Sequence, residues 1–513
     1  MNGGPSSLED FLLESPRCFP VGTWRIRDLD LWPLLLTCLL SLGVQFRIGQ
    51  KRHGVAVGGI GWKAGVVADH LLISRLRGTL ARAPDGYLPA DTLDGMALYH
   101  ASRVHGRSLG SGRRESVWVT AAIDLPRLVM QRSGQATLAW YDDLPADALE
   151  LARGLIGPSR GLAAASAAAR ARAGRLTNHR ALHALIGFAA WLAEAAAQLR
   201  CRKGFLELWL ARQLDLACGY RDVYATIFAQ RGTPRLLVML NSGFANTAGL
   251  TAAAKARGVP VVEVQHGAES RAAITSRAQP FDFSRFNTAP DRLVAWSLAP
   301  EPDPRILGVG PIALLFPGLI ESLAPGDPPA CATLRDVLRK QEFDLGERVR
   351  KAGAGRKVLV SLQPGDGGDW LLPLLSELPD LFFWVRRHGW DSEATPSRRG
   401  AGLGPRADTD LASRCFLPLL LRRASAHLTR FSAVVLEAAA MGVPSVATER
   451  YASDLYESQI PAGLLAVEPR PGRLGAVLRA ALVGGRAPAA IDGTAPRRLL
   501  AFQQDAIARH GAD

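Results

Sequence analysis

The sequence predicts an α/β protein: two Rossmann-like domains facing across a cleft, preceded by an N-terminal helical extension. Three observations predict it. Strand–helix–strand alternation occurs twice, over residues 235–265 and again over 357–447, and a proline-rich connection lies between the two stretches. The chain, at 513 residues, also exceeds what one hydrophobic core usually serves, so more than one domain is expected.

Residues 1–60 form the N-terminal segment, which runs into the glycine-rich Val55–Gly65 stretch. Its longest apolar run, Leu31 to Val44, contains Pro33 and falls short of the roughly 20 residues that span a bilayer. Two readings stay open for it: a buried or capping helix, or an interfacial membrane contact supported by Arg47, Lys51 and Arg52. Residues 61–310 form the first Rossmann-like domain. Val117 to Ala121 reads as a buried strand after the polar Gly106–Arg114 loop. Residues 147–229, rich in Ala, Leu and Arg, read as a helical insertion, because Leu182, Leu185, Ile186 and Trp191 recur at helical spacing. Arg235–Leu240, Ala245–Arg257 and Pro260–Gln265 then make a β-α-β unit, with Gly258 closing the helix. Ligands of such units gather at the carboxyl ends of the strands, here Asn241 and Ser242, then His266 and Gly267.

Residues 311–513 form the second domain. Strands are expected at Lys357–Leu362, Leu381–Arg386, Ala424–Leu428 and Pro444–Ala447, and helices at Trp370–Leu378 and Ser432–Met441, the last closed by Gly442.

Composition narrows the function. Hydrophobic residues at 48% and charged residues at 21% are globular values. The net charge of +14 comes mostly from arginines, which nowhere alternate with aromatics as on a nucleic-acid platform, so no nucleic-acid partner is expected. The excess suits anionic ligands: nucleotide diphosphates, lipid-linked phosphates, acidic glycans or an anionic membrane face. Six scattered cysteines without a C-x-x-C pair write neither a zinc site nor a disulfide framework. The first residues, polar with Glu9 and Asp10, do not read as a secretion leader. The expectation is a cytoplasmic protein, with peripheral contact at the inner face of the cell membrane left open.

Chemistry concentrates in Ala424–Asp454. A short strand delivers Thr429 and Ser432 to a helix start, where free N–H groups and the dipole favour a phosphate. Glu437 follows in an otherwise apolar stretch, where a buried carboxylate needs a partner such as ribose hydroxyls. The alternative is a plain N-cap at Ser432 and an exposed glutamate. Earlier, Val358–Pro364 runs into Gly365-Asp-Gly-Gly-Asp369, whose small residues allow close backbone approach. Arg386 and His388, within Trp384-Val-Arg-Arg-His-Gly389, form a basic strand end able to meet an anion, or an idle one.

These segments resemble the donor-binding half of GT-B glycosyltransferases. More narrowly, they resemble bacterial capsule and surface-polysaccharide transferases, whose pattern Thr-x-x-Ser-x-x-x-x-Glu-Ala falls here on Thr429, Ser432, Glu437 and Ala438. The resemblance implies donor binding by Gln363, Gly365, Arg386, His388, Thr429, Ser432 and Glu437. Glu263-Val-Gln-His-Gly267 is similar to that family's Glu-x-Gln-His-Gly element, which implies His266 as general base with Glu263 or Glu269 as base or orienting group. Asp124, Asp142 and Asp143 remain alternatives. The resemblance covers residues 220–465.

It implies an inverting, metal-independent transfer with no cofactor, from a nucleotide-sugar donor to a glycan or lipid-linked glycan acceptor of capsule, O-antigen or exopolysaccharide. The tripeptide Asp408-Thr-Asp410 matches a cation-binding Asp-x-Asp literally but reads as a chance loop. Two other functions stay open: polyol-phosphate transfer of the teichoic-acid type, and a non-catalytic subunit of a polysaccharide assembly, the latter because Gly389 stands where the family has proline.

Overall fold

The computed structural model describes residues 7–53, 93–101, 107–109, 117–119, 121–141, 159–161, 178–265, 267, 270, 272–276, 279–297, 302–311, 314–315, 329–352, 355–363, 366, 368–388, 403–456, 460, 463–483 and 494–510. Two parallel sheets frame them. The first contains β1 (Ala97–Ala101), β2 (Thr137–Tyr141), β3 (Ser159–Gly161), β4 (Leu236–Met239), β5 (Val261–Val264), β6 (Arg292–Ala295) and β7 (Ile306–Gly308), in the order β3-β2-β1-β4-β5-β6-β7. The second contains β8 (Arg356–Ser361), β9 (Leu381–Arg386), β10 (Ala407–Asp408), β11 (Ala426–Thr429), β12 (Ser445–Ala447) and β13 (Leu465–Val467), in the order β10-β9-β8-β11-β12-β13.

All pairings within the two sheets are parallel. Both sheets therefore follow the 3-2-1-4-5-6 strand order of a Rossmann fold, the first with one strand more, and the order reverses between β1 and β4 and between β8 and β11. Central strands such as Leu236–Met239 and Val261–Val264 are buried at every position, which explains their unbroken apolar sequence.

The N-terminal segment is not a separate body. Leu8, Phe11, Trp24, Trp32 and Leu39 share one core with Trp191, Leu206 and Leu214 of the helical layer and with Leu293 and Ile306 of the first sheet. Trp24 stacks edge-on against Trp191 at 5.3 Å and against Phe188 at 5.5 Å. The helix Trp32–His53 lies so close to the loop after β4 that a Cβ on Gly243 would collide with Thr37 Oγ1. Gly249 likewise lets the helix Ala245–Lys255 approach the carbonyl of Ala217, on the helix Lys203–Arg231. The apolar run is thus core: Leu31, Trp32, Leu34, Leu35, Leu36, Leu39 and Leu42 are all buried, so they offer no face to a bilayer. Among the described residues no helix is long and apolar enough to cross a membrane.

Three expectations need correction. The stretch 147–229 is not wholly helical, since Ser159–Gly161 forms the edge strand β3. Val117–Val119 lies outside the parallel sheet, paired antiparallel with Arg107–Leu109, and the chain is helical from Ala121. The last helix, Ala495–His510, counted with 311–513, returns to the first sheet: Gln503 accepts from Tyr99 Oη at 2.7 Å, and Asp505 pairs with Arg292 at 2.8 Å.

Candidate functional site

In the second sheet the crevice opens where β8 and β11, hydrogen-bonded neighbours, both end. Thr429 Oγ1 donates to the Ser361 carbonyl at 2.7 Å and accepts from the Ser432 amide at 3.2 Å. The threonine therefore ties the two strand ends together and fixes the turn that follows; its hydroxyl is engaged inside the protein. The helix expected over Ser432–Met441 is shorter, Val434–Ala440, with Ser432 in the turn before it, its Oγ 3.4 Å from the Val434 amide. Glu437 is buried, which removes the exposed-residue alternative.

Gln363 lies two residues beyond β8, at the same edge. It is only 7% exposed, and among the described residues its Nε2 has no hydrogen-bond partner. Buried amide groups in folded proteins are nearly always paired, so such a donor at a strand-order reversal is where a ligand atom is expected. Beside it, Arg430 pairs with Glu449 at 3.0 Å and lies 4.0 Å from Asp366, a carboxylate that also accepts from Trp370 Nε1 at 3.1 Å.

One expected anion contact is engaged otherwise. Arg386 is buried and donates to the carbonyls of Ala412 and Cys415, at 2.8 and 2.5 Å, so it braces the end of the short helix Asp410–Arg414 after β10. His388 is half-buried just past the end of β9. Asp408 is likewise structural, bonded to Arg348 and to the Leu411 amide, both at 2.8 Å, while Asp410 pairs with Arg414. The Asp-x-Asp match thus caps and braces a short helix.

In the first sheet, β4 leads into Asn241, which adopts a left-handed backbone at φ 53°. That turn aims the Ser242 hydroxyl at Glu263, on the adjacent strand β5, with a 2.5 Å bond. Burial pushes the Glu263 carboxyl above its ordinary value, opposed by the Ser242 hydroxyl and by the Ser242 and Asn241 amides. Glu263 therefore positions the turn after β4. Gln265 accepts from the Trp296 amide at 2.6 Å and donates to the Gly267 carbonyl at 2.8 Å, holding the loop after β5.

The two edges meet. A Cβ placed on Gly267 would lie 3.8 Å from Ala433 Cβ, and Trp296 packs against the second-domain cluster that contains Val435 and Leu436. The loop carrying the Gln-His-Gly element thus faces the turn carrying Ser432. His266, Glu269 and Gly365 lie outside the described residues, as do Asp142 and Asp143; Asp124 falls in the helix Ala121–Arg132.

A buried polar chain underlies the second-domain crevice. Ser445 Oγ lies 3.0 Å from His427 Nδ1, and His427 Nε2 lies 3.1 Å from Ser361 Oγ. Burial pulls the imidazole from 6.5 down to about 3, so it stays neutral in the fold. Between those values the unfolded chain binds the extra proton. The stability that this histidine contributes is therefore complete above about 6.5 and declines as pH falls towards 3, by up to ~1.4 kcal/mol per unit. His427→Gln, which cannot charge, is expected to flatten that slope in urea unfolding measured from pH 7 to pH 4; an unchanged slope would show that another group carries it. Sequence reading passed over His427 because its partners appear only once the register of three strands is known.

No family model matches this sequence, and no curated protein matches it. Several solved structures follow a similar chain course. A UDP-GlcNAc 2-epimerase from Neisseria meningitidis, solved with UDP-GlcNAc, is 11% identical over 80% of this chain and 100% of its own, with TM-score 0.45. S. aureus MnaA with UDP is 10% identical over 79% and 95%, with TM-score 0.43. The wall teichoic acid polymerase TagF is 9% identical over 93% and 99%, with TM-score 0.39. The fold assignment rests on the strand orders themselves: two Rossmann-ordered sheets, with a C-terminal helix returned to the first, make the GT-B architecture.

Proposed function

We propose that this chain is a glycosyltransferase that moves a sugar from a nucleotide-sugar donor to a growing surface glycan. The observation that carries the reading is the buried Gln363 Nε2, without a hydrogen-bond partner among the described residues, at the strand-order reversal of the second sheet that also carries the Ser432 turn and the buried Glu437. Glu437 accepts from the ribose hydroxyls, and the backbone amides around Ser432 meet the diphosphate. The acceptor, a glycan or lipid-linked glycan, enters from the loop after β5. Its hydroxyl oxygen attacks the anomeric carbon, the bond from that carbon to the diphosphate oxygen breaks, and His266 takes the hydroxyl proton. Glu263 acts through the Asn241–Ser242 turn as a positioning residue. The basic excess of the chain suits the anionic donor and a peripheral stay at an anionic membrane face.

The test is a thermal-shift screen of the full chain against UDP-, GDP-, CDP- and CMP-sugars. A ligand bound by the folded state alone at about 100 times its Kd adds about 2.7 kcal/mol, so one nucleotide class is expected to raise the unfolding midpoint clearly above the others. Gln363→Leu should lose most of that shift. A flat screen would remove the reading. Stabilisation by a CDP-polyol alone, with a product joined through phosphorus, would replace it with polyol-phosphate transfer.

A further inference from the structure

Away from the crevice, two histidines and a glutamate converge on the helical layer of the first domain. His179 and His183 stand at i and i+4 on the helix His179–His183, and Glu207 lies in the first turns of the helix Lys203–Arg231. Both imidazole Nε2 atoms approach the same carboxylate oxygen, Glu207 Oε1, with His183 at 2.5 Å and His179 in contact as well. The three ligand atoms all lie within 4.8 Å of one another, and among the described residues no other group of His, Cys, Asp or Glu does this.

The arrangement is held from behind. Asn178, just before the shorter helix, donates from Nδ2 to Asp215 Oδ1 at 2.6 Å, on the same long helix as Glu207. Leu182, between the histidines, is fully buried in the layer's core. The helix is therefore fixed in position and rotation, which sets where both imidazoles point. Their side chains remain 33% and 41% exposed, so solutes reach them. Glu207 Oε1 has two lone pairs and can accept from both imidazoles, so the three side chains already form one cluster. A cation placed among the three takes a lone pair from each ring nitrogen and one from the carboxylate. Two imidazole nitrogens with one carboxylate oxygen are a common three-residue set for zinc, which then takes a water in its fourth position.

We propose that His179, His183 and Glu207 bind a divalent transition cation of the zinc class, which staples the helix His179–His183 to the helix Lys203–Arg231. The cysteine pattern gave no hint of it, because no cysteine takes part. The site stands apart from the crevice, so it is independent of the function proposed above.

The experiment uses the full chain without a histidine tag, stripped with chelator, dialysed, and titrated with zinc or cobalt(II). One zinc per chain by elemental analysis, a visible d–d spectrum typical of low-coordinate cobalt, and a raised unfolding midpoint are expected. In His179→Ala/His183→Ala the zinc affinity should fall at least about 100-fold while far-UV circular dichroism is unchanged. His183→Gln, which keeps a polar side chain but removes the imidazole, should weaken binding in the same direction and guards against misfolding of the double variant. No stoichiometric zinc at micromolar concentration, or equal binding by wild type and the folded variants, would overturn the proposal.

Discussion

Glu437→Ala is expected to weaken nucleotide-sugar binding by roughly 10- to 100-fold and to erase most of the thermal shift given by the preferred donor. The carboxylate sits at 7% exposure on a helix whose other residues, Val434 to Ala440, are apolar and buried. Hydrogen bonds from a pair of ribose hydroxyls to a carboxylate are among the stronger ones a nucleotide can make. Alanine leaves those hydroxyls facing an apolar wall. Glu437→Gln, which keeps the volume and one acceptor, should lose less than alanine does. Isothermal titration with the nucleotide identified by the screen reads both values directly. Equal donor affinity in the wild type and both variants would mean that Glu437 serves the fold alone.

How far the sequence carried this reading varied along the chain, for physical reasons. The strands β5, β8, β9 and β11 were legible because central strands of a parallel sheet are buried on both faces and read as apolar runs. The strands β1 and β3 were not: Ala97-Leu-Tyr-His-Ala101 carries a buried histidine in mid-strand, and Ser159-Arg-Gly161 is a polar three-residue edge. Nor was the attachment of Ala495–His510 to the first sheet, because a helix's partner is set by tertiary packing and its own sequence is amphipathic in either place.

The site divides in the same way. Motif spacing located the Thr429–Glu437 segment, and the turn and burial there fit a ligand-facing edge. It could not say which side chains are occupied by the protein itself. Thr429 is used between strands, Arg386 braces a neighbouring helix end and Glu263 holds Asn241 and Ser242; each of these engagements depends on which strands are adjacent. Gln363 differs from these, since its buried Nε2 has no hydrogen-bond partner among the described residues.

His266→Ala is expected to lower the turnover number by about 10²- to 10⁴-fold while donor affinity stays within about twofold of wild type. The residue follows Gln265, whose side chain spans from the Trp296 amide to the Gly267 carbonyl, and Gly267 faces Ala433 across the domain boundary. In the proposed function the base acts on the acceptor hydroxyl, so removing it is expected to leave the nucleotide contacts intact. An imidazole must be neutral to accept the acceptor proton, so wild-type turnover should rise with pH and then level. In Glu263→Gln the base itself remains, but the Asn241–Ser242 turn loses its charged acceptor. That variant should therefore lower turnover while keeping the same pH midpoint, whereas His266→Ala removes the midpoint altogether. The pH profiles of the three proteins thus separate the base from the group that positions its surroundings. A surviving midpoint in His266→Ala would move the base assignment to another residue, with Asp124, Asp142 and Asp143 the next to replace.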